Sequence, residues 1–141
     1  MDVLDTGTDE LLATLEDRVV TLTLNRPTKR NALSDQLTPA LRQILLDLEL
    51  REDVGCIVIT GAGSAFCAGG DISGMGDNLT ASDAKPVSHE AQVRELIHRQ
   101  ETLTLRLHSH PKPTIAALPG VAAGAGFCLA LACDLRVACE S

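Results

Sequence analysis

Ser64-Ala65-Phe66-Cys67-Ala68-Gly69-Gly70-Asp71-Ile72 is a run of small residues that follows the strand-like run Cys56-Ile57-Val58-Ile59-Thr60. A second run, Pro119-Gly120-Val121-Ala122-Ala123-Gly124-Ala125-Gly126-Phe127, follows Thr114-Ile115-Ala116-Ala117-Leu118 in the same way. Small residues leave backbone N–H groups uncovered, and glycine permits the tight turn needed to aim them. A helix start adds unpaired N–H groups and a dipole that favours negative charge. Two such turns facing each other, with one N–H from each, can form an oxyanion hole. Plain turns of this composition are common in α/β chains, so spacing alone leaves both readings open.

The strand-like runs around these turns set the fold class. Val20, Leu22 and Leu24 alternate with Val19, Thr21 and Thr23, a period of two rich in β-branched residues. Leu11–Glu16 and Arg18–Asn25 therefore read as a hairpin with its tight connection at Glu16-Asp17. Pro27 ends the second strand because it has no N–H to donate. Ser34 to about Arg51 reads as a helix with Leu37, Leu41, Ile44, Leu45 and Leu48 on one face. Pro39 leaves two starts open. Either Ser34 caps a helix with a kinked first turn, or Thr38 is the cap and Pro39 the first helical residue. Gly55–Thr60 is a short buried strand, and Ser73–Val87 is a Gly-, Asp-, Ser- and Pro-containing loop placed to act as a pocket flap. Ser88 to about Leu107 is a second helix with the stripe Val93, Leu96, Ile97, Leu103 and Leu107. Thr114–Leu118 is a strand, Ala125–Ala132 a small-residue helix, and Leu135–Cys139 a last strand. Strands alternating with helices give an α/β fold with a largely parallel sheet. Residues 1–10 are polar and acidic and read as a flexible end, with the domain over 11–141.

Composition excludes several classes of function. The 141 residues carry a formal charge of −7 and only two aromatics, Phe66 and Phe127. Nucleic-acid and anionic-membrane surfaces are therefore not expected. An anionic ligand would need a local basic patch, for which Arg26, Lys29 and Arg30 are the candidates; a solvated cationic loop is the plainer reading. Cys56, Cys67, Cys128, Cys133 and Cys139 are odd in number and contain no C-x-x-C, which fits reduced thiols and a cytoplasmic setting. The N-terminus lacks an apolar signal region, and no apolar run approaches ~20 residues, so neither secretion nor a membrane span is expected. His108 and His110 sit in a helix-ending loop without the carboxylates that would complete a metal site, so no metal is expected.

Asn25-Arg26-Pro27-Thr28-Lys29-Arg30-Asn31-Ala32-Leu33, Ile57–Gly63, Ala65–Ile72 and Lys112–Ala117 through Cys133-Asp134-Leu135 occur in an order and spacing that resemble the enoyl-CoA hydratase/isomerase (crotonase) family. The resemblance runs from about Leu11 to the last residue. It implies an N-terminal half only: a crotonase-like spiral of strand–strand–helix turns, incomplete at the C-terminus. It also implies binding of an acyl-CoA or enoyl-CoA thioester, with coenzyme A as part of the substrate and no separate cofactor. The oxyanion-hole N–H groups would be those of Gly70 and Ala125, the second standing where glycine is usual. The coenzyme A arm would lie along Lys29, Arg30 and Ala32, along Ala68, Gly69, Gly70, Asp71 and Ile72, and at Gly124. Either Lys29 or Arg30 would approach a phosphate. Asp71 and Asp134 match family aspartates and read as cap or turn residues. Hydratases of the family use two glutamates, and the first would stand at Cys128. That departure favours isomerase-like proton transfer over hydration, or a truncated, non-catalytic binder. Phe127 and Leu129 flank Cys128 with apolar surface, which reads as an inert packed thiol. The family implies a trimer or a pair of trimers, or here a complementary C-terminal chain.

Overall fold

The computed structural model describes residues 1–73 and 87–140. The loop and flap expected over Ser73–Val87 fall mostly on residues 74–86, outside the described residues. Strands β2 (Leu11–Glu16) and β3 (Val19–Leu24) form the hairpin, in register from Leu11↔Leu24 to Glu16↔Val19. Its turn residues are Asp17 and Arg18, one position later than the sequence suggests, with φ of 48° and 67°. Two left-handed residues match the twist of the flanking strands, and Asp tolerates that conformation. The alternation works as read: Leu11, Ala13, Leu15, Val20, Leu22 and Leu24 are buried.

Residues 1–10, expected as a flexible end, contain a strand. β1 (Asp2–Leu4) pairs antiparallel with β2, from Asp2↔Leu15 to Leu4↔Ala13. The free edge of β2 offers it unpaired backbone groups. On the other side, β4 (Cys56–Gly61), β6 (Thr114–Leu118) and β8 (Leu135–Ala138) extend the sheet in parallel, in the order β1-β2-β3-β4-β6-β8. β5 (Ala65–Cys67) and β7 (Val121–Ala122) form a separate two-stranded parallel sheet. The chain thus runs twice through the same sequence: a strand in the large sheet, a strand in the small one, then helix. This is the strand–strand–helix spiral. The expectation that it is incomplete at the C-terminus is corrected. β8 pairs with β6 over the whole of its length, from Ile115↔Leu135 to Leu118↔Ala138, and Cys139 N–H bonds Leu118 O at 3.2 Å. Backbone pairing carries the spiral through to its last described strand.

α1 (Leu37–Glu49) lays Leu37, Leu41, Ile44, Leu45 and Leu48 on the sheet, all buried. Its start matches neither sequence reading: the N-cap is Gln36, between Ser34 and Thr38. The Ser34 hydroxyl accepts N–H from Gln36 (3.2 Å) and Leu37 (3.0 Å), and Pro39 falls in the first turn, where no intrahelical partner is lost. α2 (His89–Gln100) is capped by the Ser88 hydroxyl, which accepts Ala91 N–H at 3.2 Å. It continues through a π turn (Glu101–Leu105) into the short α3 (Arg106–His108). Of the expected stripe, Leu103 and Leu107 are buried, whereas Val93, Leu96 and Ile97 are exposed. The periodicity is helical, but only the end of the helix reaches the core. α4 (Ala125–Ala132) has the bounds read from the sequence and buries Gly126, Leu129, Ala130 and Ala132.

Candidate functional site

The two small-residue runs face each other. β5 and β7 pair Ala65 with Val121 and Cys67 with Ala122, and Ala123 N–H donates to Cys67 O at 2.9 Å. A Cβ on Gly126 would overlap the backbone oxygen and side chain of Cys67, so α4 approaches the first run closer than any side chain permits. Gly69 has φ of 103° and Gly124 φ of 52°, left-handed values that turn both runs at this contact. A Cβ on Gly69 would lie 3.1 Å from Ala123 O and 3.6 Å from Ala125 N. Gly70 and Ala125 therefore line one cleft, of about 560 Å³, with Leu33, Leu103 and Leu129 among its apolar walls. Their N–H groups find no acceptor among the described residues. Leu33 accounts for the neighbours instead: its N–H donates to Gly69 O (2.7 Å) and its carbonyl accepts Asp71 N–H (2.9 Å). Ala125 opens α4, where an N–H has no partner within the helix.

A loop packs under the first run and holds it. The 3-10 turn Pro27–Lys29 is followed by two left-handed residues, Arg30 (φ 48°) and Asn31 (φ 56°). Asn31 is completely buried. Its amide donates to Ala62 O (2.9 Å) and Ala65 O (2.8 Å), and its Oδ1 accepts Arg26 N–H (2.8 Å). Ala68 N–H donates to Arg30 O at 2.9 Å. The residues expected along a coenzyme A arm are thus brought together, with Lys29 and Arg30 exposed beside Ala32, Ala68 and the Gly69–Ile72 turn. Arg26 leaves the expected basic patch. It bonds Ala32 O (2.6 Å) and pairs with Asp71 (2.8 Å) and Glu10 (3.1 Å), because it is nearly covered and three acceptors converge on it.

Asp71 accepts the Ser73 hydroxyl (2.5 Å), the Ser73 N–H (2.9 Å) and Arg26 (2.8 Å). Those donors, Ser73 first, hold its carboxyl far below the usual carboxylate range, so it stays ionised and is a poor base. Asp134 ties the starts of β6 and β8 together. Its Oδ2 accepts Thr114 N–H (2.7 Å) and hydroxyl (2.8 Å), which lower its pKa. Both aspartates hold backbone, as cap and turn residues do. His110 braces α1, with Nε2 3.0 Å from Leu45 O and Nδ1 accepting Lys112 N–H at 3.2 Å.

Cys128 is not packed, contrary to the sequence reading. It is exposed and lines a neighbouring apolar groove with Leu96, Ile97, Leu105 and Leu131. Residues adjacent in sequence point to different faces of a helix, so Phe127 and Leu129 do not bury it. Burial instead raises the thiols of Cys67 and of Cys133, the latter to about 11. Among the described residues no His/Cys/Asp/Glu cluster could hold a metal, and no helix is long and apolar enough to cross a membrane. Sequence reading missed the helical lining of the cleft, Arg42 of α1 with Glu95, Arg99 and Gln100 of α2. The only cue was that polar residues sit beside the apolar stripe of each helix.

The chain is similar to known proteins. A family model described as enoyl-CoA hydratase/isomerase matches residues 14–141. A probable enoyl-CoA hydratase of Mycobacterium tuberculosis is 39% identical over 92% of this chain and 47% of its own length. The 1,2-epoxyphenylacetyl-CoA isomerase of Escherichia coli is 37% identical over 93% of this chain and 48% of its own. A crystal structure of an enoyl-CoA hydratase from Bacillus anthracis superposes with a TM-score of 0.78 at 32% identity, covering 94% of this chain and 48% of that one. The chain spans about half the length of these relatives. The expectation that the likeness is to an N-terminal half only, with the fold broken off, is corrected on this chain's side: the matches run along more than nine-tenths of it. With the spiral, the facing glycine runs and this coverage in agreement, the chain belongs to the enoyl-CoA hydratase/isomerase (crotonase) family.

Proposed function

We propose that the cleft binds an acyl-CoA or enoyl-CoA thioester and stabilises its enolate. The observation that carries this reading is the pair of unspent N–H groups, Gly70 and Ala125, on one cleft. When a proton leaves the carbon next to the thioester carbonyl, the electron pair moves onto the carbonyl oxygen. Two fixed donors meet that charge, each contributing about 3 kcal/mol in favourable sites. The coenzyme A arm runs along Lys29, Arg30 and Ala32, past Ala68–Ile72 and Gly124, with Lys29 or Arg30 on a phosphate. Isomerase-like proton transfer is favoured over hydration, because Cys128 stands where a hydratase of the family carries a glutamate. The placement of Cys128 outside the cleft also favours a second reading, a thioester binder without turnover. The working unit is a cytoplasmic homo-oligomer; the exposed Phe127, Leu131, Leu135 and Val137 support the oligomeric part of that reading.

Acetoacetyl-CoA tests the proposal without requiring a catalytic base, since its enolate absorbs in the ultraviolet. The chain is expected to bind it and raise the enolate fraction near neutral pH. Ala125→Pro deletes one donor at the first helical position, where proline is tolerated. It should lower that enrichment about a hundredfold while leaving the helical circular dichroism intact. Binding of neither acetoacetyl-CoA nor crotonyl-CoA, read by native mass spectrometry, overturns the proposal. Crotonyl-CoA turnover then separates isomerase, hydratase and silent binder.

A further inference from the structure

Arg42 lines the same cleft from α1. Its Nε is covered from solvent and has no hydrogen-bond partner, and no ion pair is formed by its guanidinium among the described residues. The other ionic groups on the cleft are differently placed. Glu95 and Arg99 satisfy each other at 2.8 Å, Asp71 is held by Arg26 at 2.8 Å, and Asp35 is an exposed carboxylate. A buried guanidinium N–H without an acceptor is costly, and the planar fork of arginine matches a carboxylate through two parallel bonds. The same lining includes Leu33, Leu103 and Leu129, apolar surface suited to methylenes.

We propose that Arg42 recognises a carboxylate at the far end of the acyl group, so that the thioesters taken by this cleft are carboxyacyl-CoAs. The inference rests on the thioester reading above and names its substrate class. Asp35 opposes any diffuse attraction for an anion, so the preference comes from direct contact with Arg42. Burial and the positive charge of Arg99 both lower the pKa of Arg42, and a carboxylate partner offsets both.

The test is calorimetric titration of the full chain with glutaryl-CoA, valeryl-CoA and free coenzyme A. Glutaryl-CoA is expected to bind about tenfold or more tightly than valeryl-CoA. Arg42→Gln should erase that preference while leaving valeryl-CoA and coenzyme A unchanged. Arg42→Lys, which keeps the charge but loses the fork, should restore only part of it. Equal binding of the two thioesters by the unaltered chain overturns the inference and leaves the thioester reading standing. So does an equal weakening of all three ligands in Arg42→Gln, which would make Arg42 a phosphate contact. Failure to bind any of the three overturns both readings. The comparison within the unaltered chain decides the matter even if a variant fails to fold.

Discussion

α1 and α2 are both amphipathic and both line the cleft, yet α1 buries five large side chains while α2 buries none. The α1 wall is fixed by the sheet beneath it and joined to the first glycine run through Leu33, Asn31 and Arg26. The α2 wall is fixed by its end: Leu103, in the π turn, and Leu107, in α3, are the residues that enter the core. On α2 itself the visible links are i,i+4 ion pairs, Arg94–Glu90 and Arg99–Glu95. Such exposed pairs contribute little. One cleft thus has a rigid wall that presents Gly70 and a loosely seated wall that presents Glu95 and Arg99. An apolar stripe specifies a helix and a face, but the partner for that face is specified elsewhere.

The largest test of this contrast sets Leu45→Ala on α1 against Ile97→Ser on α2. Leu45 is fully buried and Ile97 is 52% exposed. Leu45→Ala should cost about 2–5 kcal/mol in urea unfolding, through lost burial and a cavity. Ile97→Ser should stay within about 0.5 kcal/mol, as for an exposed position. A comparable loss in both would show that α2 packs against something in solution, and gel filtration of Ile97→Ser would then reveal a change of assembly.

A smaller effect is expected where the two glycine runs meet. Gly126→Ala forces a Cβ into the Cys67 backbone, which can relax only by pushing α4 away from β5. The cost should be about 1–3 kcal/mol, as for overpacking. Because the shift separates Ala125 from Gly70, enolate enrichment should fall along with stability. Loss of stability with the enolate signal intact would show that the two donors do not depend on this contact.

The rigid wall was the legible one. Alternation in Val19–Leu24 gave β3, and the leucine spacing gave α1, because the apolar face of each is buried in the core shared by the sheet and α1. The resemblance pointed to Gly70 and Ala125 as the facing pair, something the spacing of the runs left open. Asn31 was hidden. Nothing in Arg30-Asn31 announces two successive left-handed residues, although asparagine tolerates that conformation, and two of its three partners, Ala62 and Ala65, lie in a different segment. Arg26 read as one cation of a solvated loop because its acceptors, Glu10 and Asp71, lie far from it in sequence. Arg42 was invisible for a related reason: a polar residue flanking an apolar stripe looks solvated until a second helix covers it. β1 escaped because an acidic, three-residue strand has little pattern of its own and exists by borrowing the edge of β2.

The smallest effect separates the walls by acid. Asp71 belongs to the rigid wall and Glu95 to the loose one, and both carboxyls are lowered, from ordinary values of 3.8 and 4.5. Asp71 is held by Ser73 and Arg26, Glu95 by Arg99 alone among its hydrogen-bond partners. A carboxyl with a depressed folded pKa stabilises the fold above its unfolded pKa, and that contribution fades as pH falls through the folded value. Neither contribution should change between pH 7 and about 5. Below that, Glu95 should protonate first and release Arg99, while Asp71 keeps its proton off to a lower pH and the Gly69–Ile72 turn stays in place. Carboxyl carbon shifts followed by NMR during acid titration would show the order. An Asp71 midpoint at or above that of Glu95 would mean that Ser73 and Arg26 do not hold the turn in solution, and the contrast between the two walls would lose its electrostatic half.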